Sequence, residues 1–350
     1  MRGALTVLAI APGVTVQDEG RPGWLMQGLS RGGAADRLAL AEGAALLCQS
    51  PACAAFEMVG AGGRFRAERP LRIALTGAEM DARIDGRALR WSASHRMEPG
   101  DVLEIGGARR GSYGYLHVGG GLDTAVELGS RAAHLTCRIG RRVAAGDSYA
   151  TGPDPNPEGR AQVLAVEDRL SGGTLRLVPG PQTELFPEPV RARLETLTFR
   201  RLPRASRQGV PLGAVGGEAG LDGAAGLTVV SDLVQPGDVQ VLGDGTPMVL
   251  GPECQTTGGY PRLGRVHPAD LPRALQAPPG ADLRFAWITP AEALRLEAAR
   301  RAAQSDLPSR LSPLVRHPSE VPDLLTRQLI GGVVSGHPDH HPLDPEPESR

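Results

Sequence analysis

Apolar residues fall along most of this chain in short, β-prone runs separated by glycine- and proline-bearing turns, the pattern of many brief strands. Residues 4–10 make the first such run, which passes the Pro12-Gly13 turn signal into Thr15-Val16-Gln17-Asp18. From Gly20-Arg21-Pro22-Gly23 to Ser30-Arg31-Gly32-Gly33 the chain is too rich in glycine for regular structure and is crowded with polar groups. This predicts a long loop with a role of its own. Asp36 can cap a helix that continues through Leu40 to Leu47 at helical spacing, with Pro51 as its stop. β signals then recur at 55–59, 71–76, 81–84 with Asp85-Gly86 as a hairpin turn, 102–105 and 113–118.

Three prolines, Pro153, Pro155 and Pro157, mark a connecting loop, and a second series of strands is expected at 175–178, 197–200, 227–230, 239–242, 248–250 and 285–288. A Pro/Ala-Gly-Asp turn appears in both halves, at Pro99-Gly100-Asp101, Ala145-Gly146-Asp147 and Pro236-Gly237-Asp238. Thr289-Pro290-Ala291-Glu292 has the composition of a helix start, and the helix should run to about residue 303. Beyond it the chain is proline-rich, with a short amphipathic candidate at 321–329 and a His337-Pro338-Asp339-His340-His341 stretch that reads as tail rather than as a metal site. The expected organisation is a mainly β chain with few helices: a first lobe at 1–172, a second at 173–289, and a helix with a proline-rich tail at 290–350.

With 350 residues, 41% hydrophobic and 22% charged, the chain is long enough and apolar enough for two packed domains. A net charge of −1 gives no field for a nucleic-acid backbone. No apolar run approaches the ~20 residues of a membrane span, and the apolar run among the first ten residues is too short for a secretory signal, so a cytoplasmic protein is expected. Cys48, Cys53, Cys137 and Cys254 lack paired C-x-x-C spacing, which predicts free thiols and no metal centre. Cys254 beside Gln255 is either a nucleophile or a small buried residue, and no obvious base accompanies it. All 38 basic residues are arginine. The chain therefore carries no biotinyl-lysine, Schiff-base lysine or phosphate-loop lysine, and a biotin or an ATP site of that type belongs to another polypeptide.

Gln255-Thr256-Thr257-Gly258-Gly259 combines hydroxyls, an amide and flexible backbone, a composition suited to an oxyanion hole, though a turn closed by local threonine hydrogen bonds has the same composition. Thr15, Gln17, Asp18 and Arg21 offer donors, a carboxylate and a guanidinium suited to a carboxylate or small amide; a structural loop held by an Asp–Arg pair is the alternative. Thr76-Gly77 ends an apolar strand and brings backbone close either to a ligand or to a β-bulge.

Four stretches resemble the allophanate hydrolase subunit 2 family, also described as carboxyltransferase subdomains A and B, over roughly residues 4–295. They are Thr15-Val16-Gln17-Asp18 with Gly20-Arg21-Pro22-Gly23, Gly33 and Asp36-Arg37; Leu75-Thr76-Gly77-Ala78 with Asp85-Gly86 and Pro99-Gly100; Tyr115 through Val118-Gly119-Gly120-Gly121-Leu122-Asp123 to Leu128-Gly129-Ser130-Arg131; and Val178-Pro179-Gly180-Pro181-Gln182 with Gln255 to Pro261. The resemblance implies two tandem cyclophilin-like β-barrel lobes and a separate subdomain C/D-type partner, with a lamB-type protein as a further component. It implies an ATP-dependent 5-oxoprolinase acting on a small cyclic amide, with the ATP site left open between this chain and another polypeptide. A biotin-dependent carboxyltransferase with biotin on another chain, and a regulator that grips a kinase-inhibitor partner, are the alternatives. Gln255, Thr256, Thr257, Gly258 and Gly259 are the implied catalytic residues; Thr15, Gln17, Asp18, Arg21, Asp36, Arg37, Thr76, Gly77 and Arg207 are the implied substrate contacts. Family members carry Ser-Asn/Asp-Arg-Met-Gly where this chain has Ala205-Ser206-Arg207-Gln208-Gly209, so only the arginine and glycine persist.

Overall fold

The computed structural model describes residues 4–216, 221, 227 and 229–315. They are mainly β, with four α-helices: α1 (Arg37–Leu47), α2 (Glu188–Thr196), α3 (Leu271–Gln276) and α4 (Pro290–Ser305). The first half builds an eleven-stranded sheet around the antiparallel pair Leu71–Ile84 and Val102–Val118. Each of these long strands reads in sequence as two short ones. The pair stays continuous because register shifts after Gly77, Glu79 and Met80 absorb the interruptions as β-bulges. Asp85 and Gly86, both at positive φ, then turn the chain into Arg87–Ala88, as the hairpin signal predicts. One face of the sheet packs a core that includes Phe56, Phe65, Leu75 and Leu116.

The second half closes a seven-stranded barrel in the order Gly173–Val178, Arg262–Val266, Asp238–Val241, Pro247–Leu250, Gly209–Ala214, Phe199–Arg201 and Asp282–Trp287. The ring is sealed by the parallel pairing of Gly173–Val178 with Asp282–Trp287, and a closed ring leaves no exposed edge. Phe199 and Phe285 meet edge-on at 5.5 Å inside it. This core continues without a break into Ala35, Leu40, Tyr113 and Tyr115 of the first half, so the two sheets share one apolar seam.

Asp36 caps α1 as expected, its carboxylate accepting from Ala39 N at 3.1 Å. The helix stops at Leu47 because Cys48 turns left-handed, before Pro51 is reached. The capping box of α4 is complete: Thr289 Oγ1 accepts from Glu292 N at 3.2 Å and Glu292 accepts from Thr289 N at 2.7 Å. Two features depart from the sequence expectation. Residues 227, 229 and 230 are irregular: Leu227 packs against the barrel core, Val229 N bonds Gly259 O at 3.1 Å and Val230 is 91% exposed, and the strand forms instead at Asp232–Leu233, against Thr257–Gly258. After α4 the chain does not trail away: Leu311–Pro313 pairs with Gln162–Leu164 at the edge of the first sheet. The candidates at 321–329 and at His337, His340 and His341 lie outside the described residues. Among the described residues no helix is long and apolar enough to cross a membrane.

Candidate functional site

The glycine-rich loop expected at 20–33 lies in the seam between sheet and barrel. Gly20 and Gly33 have φ of +80° and +79°, and a Cβ on Gly33 would stand 2.5 Å from Gly20 N, so the loop can fold on itself only with glycine there. Asp18 directs this fold. Its oxygens accept from Gly20 N (2.8 Å), Ser130 Oγ (2.6 Å) and Arg131 N (2.6 Å), tying the loop to the 127–138 segment rather than to Arg21. Arg21 is 1% exposed and donates to the carbonyls of Ala132 (2.5 Å) and Glu127 (3.3 Å). Burial pulls its pKa below the usual arginine value, against the pull of Asp18 and Glu127. Gln17 donates to Thr15 Oγ1 at 3.0 Å and Ala133 O at 3.1 Å.

This corner has unspent hydrogen-bonding capacity. Arg21 Nη1, Gln17 Oε1 and Thr124 Oγ1 are buried and have no partner among the described residues, and a buried polar atom left unpaired costs about 1–3 kcal/mol. Arg21 and Thr124 line a cavity of about 360 Å³ together with Asp123, Glu127, Arg131, which pairs with Asp123 at 2.9 Å, and Arg141, which pairs with Asp147 at 2.7 Å, so Arg21 Nη1 is the donor left over there. Such an opening suits a small ligand bearing a carboxylate.

Beside it runs a buried charge network. Arg207 enters from the barrel and donates Nε to Glu253 at 2.6 Å, Nη2 to Gly33 O at 2.6 Å, and Nη1 to Glu57. Glu57, 0% exposed, also accepts from Tyr115 Oη (2.7 Å) and Ala35 N (2.8 Å). Burial opposes the charge on Arg207, but Glu57 and Glu253 outweigh it and hold its pKa above the ordinary value. Asp36 belongs to a neighbouring cluster: its second oxygen accepts from Arg169 Nε (2.7 Å) and Gln276 Nε2 (3.0 Å), and Arg169 makes a two-pronged contact with Glu42 at 2.8 and 2.6 Å. Both Asp36 and Arg207 thus clamp the sheet to the elements around it.

The remaining expected residues are placed apart. Thr76 is fully buried, donating to Ala39 O at 2.9 Å and bonded to His117 Nε2 at 2.8 Å, and Gly77 is the bulge residue. Arg37 points away from Asp36's partners into a separate cavity under α4. Gln255, Thr256, Thr257, Gly258 and Gly259 lie on the surface of the barrel. Gln255 donates to Gln240 at 2.9 Å, and Thr257–Gly258 pairs with Asp232–Leu233. No hydrogen bond of the Thr256 or Thr257 hydroxyl is formed among the described residues, and the backbone there is held by Val234 N on Thr256 O at 2.9 Å. Thr256 follows Glu253 by three residues, which keeps it within about 11 Å of the Arg207 network. Cys254 is 2% exposed, and burial pushes its thiol up to about 12, so it is the small buried residue and not a nucleophile.

The profile of the family described as "Carboxyltransferase domain, subdomain A and B" matches residues 27–287. The chain belongs to this family. It is 31% identical over 286 residues to the C subunit of 5-oxoprolinase from Escherichia coli (strain K12), covering 80% of this chain and 90% of that one. Among solved structures it is similar to TTHA0988 (TM-score 0.74, 30% identity, 81% of this chain), of which it spans only 56%. It shares its fold with Kluyveromyces lactis urea amidolyase (TM-score 0.77, 19% identity, 91% of this chain and 21% of that chain).

In this member of the carboxyltransferase A and B family, motifs far apart in sequence come together. Gln182 accepts from Arg262 N at 2.9 Å, Arg262 also holds Asp232 and Leu233 O, and the 232–233 strand pairs with Thr257–Gly258. Sequence reasoning did not find Glu57, Glu253, Arg169 or Gln276, and it reached Tyr115 only as part of a family motif. Only Glu57 offered a local signal, as one carboxylate inside the otherwise apolar run Ala55–Val59.

Proposed function

We propose that this chain is the C-type component of an ATP-dependent 5-oxoprolinase, opening the lactam of 5-oxoproline to glutamate with a separate partner of the C/D subdomain type. The observation that carries this reading is the 31% identity to the Escherichia coli 5-oxoprolinase C subunit along 90% of that protein's length. Lactam opening needs donors where the carbonyl oxygen gains charge and a grip on the substrate carboxylate. In this reading the hydroxyls of Thr256 and Thr257, with Gln255, Gly258 and Gly259 around them, serve the carbonyl, and the Arg21 corner with Thr15 and Gln17 serves the carboxylate. Asp18, Asp36, Thr76, Gly77 and Arg207 hold those surfaces in place. Activation by ATP and delivery of water fall to the partner, with a lamB-type protein as third component, in the cytoplasm. We also take the two sheets as two lobes, near 1–172 and 173–289.

The test is 5-oxoproline-dependent ATP hydrolysis by this chain co-purified with its neighbouring partner proteins, and again with each protein omitted in turn. Turnover should vanish without this chain, and Thr256→Ala should lower kcat by about 100-fold, the usual cost of one oxyanion donor. If the complete assembly shows no turnover, the reading fails. Biotin-dependent carboxyl transfer then takes its place, since the ureido ring of biotin also sets an N–H beside a carbonyl and the family's own description is a carboxyltransferase.

A further inference from the structure

A second cavity, of about 330 Å³, opens where the start of α1, the 165–169 segment, the turn leading into α3 and the flank of α4 meet. Its floor is apolar, with Leu38, Leu271, Leu296 and Leu307. Six arginines and four carboxylates ring it. Three of the acids are already committed: Glu42 to Arg169, Asp270 to Arg176 and Asp168 to Arg110. Among the arginines, Arg300 is held by both oxygens of Glu297 at 2.8 Å, Arg273 donates to Gly172 O at 2.6 Å and Arg310 to Ala165 O at 2.9 Å. Arg37 alone of the six has neither a carboxylate nor a carbonyl partner among the described residues.

Arg37 stays open to solvent at the cavity's side, yet it is crowded. Protein atoms packed round the guanidinium, then the like charges of Arg31 and Arg300, lower its pKa to about 10, with Glu19 and Glu297 offsetting only part of this. It is therefore a full cation at neutral pH whose neighbours repel it, and an anion bound there would relieve that repulsion. A positive rim over an aliphatic floor selects for a ligand with both parts.

We propose that this cavity is a second binding site, taking a small organic anion, a carboxylate or phosphate monoester with a short aliphatic body, on the unpaired guanidinium of Arg37. The site is independent of the 5-oxoprolinase reading. It shares no residue with the Arg21 corner or with Gln255 to Gly259, so failure of one leaves the other standing.

Calorimetric titration of the full chain with hexanoate, hexyl phosphate, acetate and hexanol tests it. Hexanoate or hexyl phosphate should bind at least about tenfold more tightly than acetate, and hexanol should not bind; the tighter of the two anions identifies the head group. Arg37→Gln should weaken the preferred anion by about tenfold or more while leaving the urea midpoint near that of the parent, because Arg37 holds nothing in place. Thr256→Ala should leave the titration unchanged. Binding of hexanol as tight as that of hexanoate, equal binding by Arg37→Gln, or no binding of either anion overturns the proposal.

Discussion

Arg207→Met removes the cation that stands between Glu57 and Glu253, and its effect can be worked from their surroundings. Glu57 is 0% and Glu253 3% exposed, so solvent cannot replace the lost partner, and Glu57 keeps only the Tyr115 hydroxyl and Ala35 N–H to support its charge. Breaking a buried ion pair by deleting one member costs about 3–5 kcal/mol, because a charge is left uncompensated. Arg207 serves two such carboxylates and also the Gly33 carbonyl, which sets the expected loss at about 4 kcal/mol at pH 7. With a urea m value of about 3 kcal/mol/M this is a midpoint shift of somewhat over 1 M, read by far-ultraviolet circular dichroism. Glu57→Gln added to Arg207→Met should recover part of the loss at pH 7. A loss below about 1 kcal/mol would refute the view that Arg207 is held by desolvated charge.

Two further outcomes follow from burial and backbone geometry. His117 is fully buried under α1, and desolvation lowers its pKa to about 3; the unfolded chain takes a proton near pH 6.5 that the folded one refuses, so this contribution is intact above that pH and is lost progressively as pH falls towards 3. His117→Gln should make the urea midpoint less sensitive to pH between 6.5 and 4, and an unchanged slope would argue against a neutral buried imidazole. Gly77 has φ +71°, and an added Cβ would stand 2.5 Å from Tyr113 O, so Gly77→Ala should destabilise by roughly 3 kcal/mol from backbone strain and overpacking together. A thermal midpoint within a degree of the parent would mean that the bulge tolerates a side chain.

What was legible in the sequence was what is settled within a few residues. The cap of α1 and the capping box of α4 need only a side chain and the next turn of backbone, and the Asp85-Gly86 hairpin needs only two residues at positive φ. The long strands were hidden because a glycine that ends a strand and one that bulges within it look alike until the partner strand is known. The site divides in the same way. The Thr15–Arg21 group was found as a set of polar side chains, but whom they serve is decided by the 127–138 segment more than a hundred residues on, and that segment claims Asp18 while leaving an atom of Arg21 unclaimed.

The loop at 205–209 shows how far such reasoning reaches. Its flanking pair departs from the family pattern, and only Arg207 and Gly209 persist. Ser206 turns out to close its own turn, with Ser206 N on Gly209 O at 2.9 Å, the return bond at 3.2 Å and its hydroxyl accepting from Gln208 N at 3.2 Å, while Arg207 reaches into the buried charge network and Gln208 Nε2 donates to Thr136 Oγ1 at 3.4 Å. The acids of Arg207 stand 150 and 46 residues away in the chain. A substitution that preserves the turn and the arginine therefore preserves the clamp, and Ser206→Ala should leave the urea midpoint near that of the parent where Arg207→Met does not.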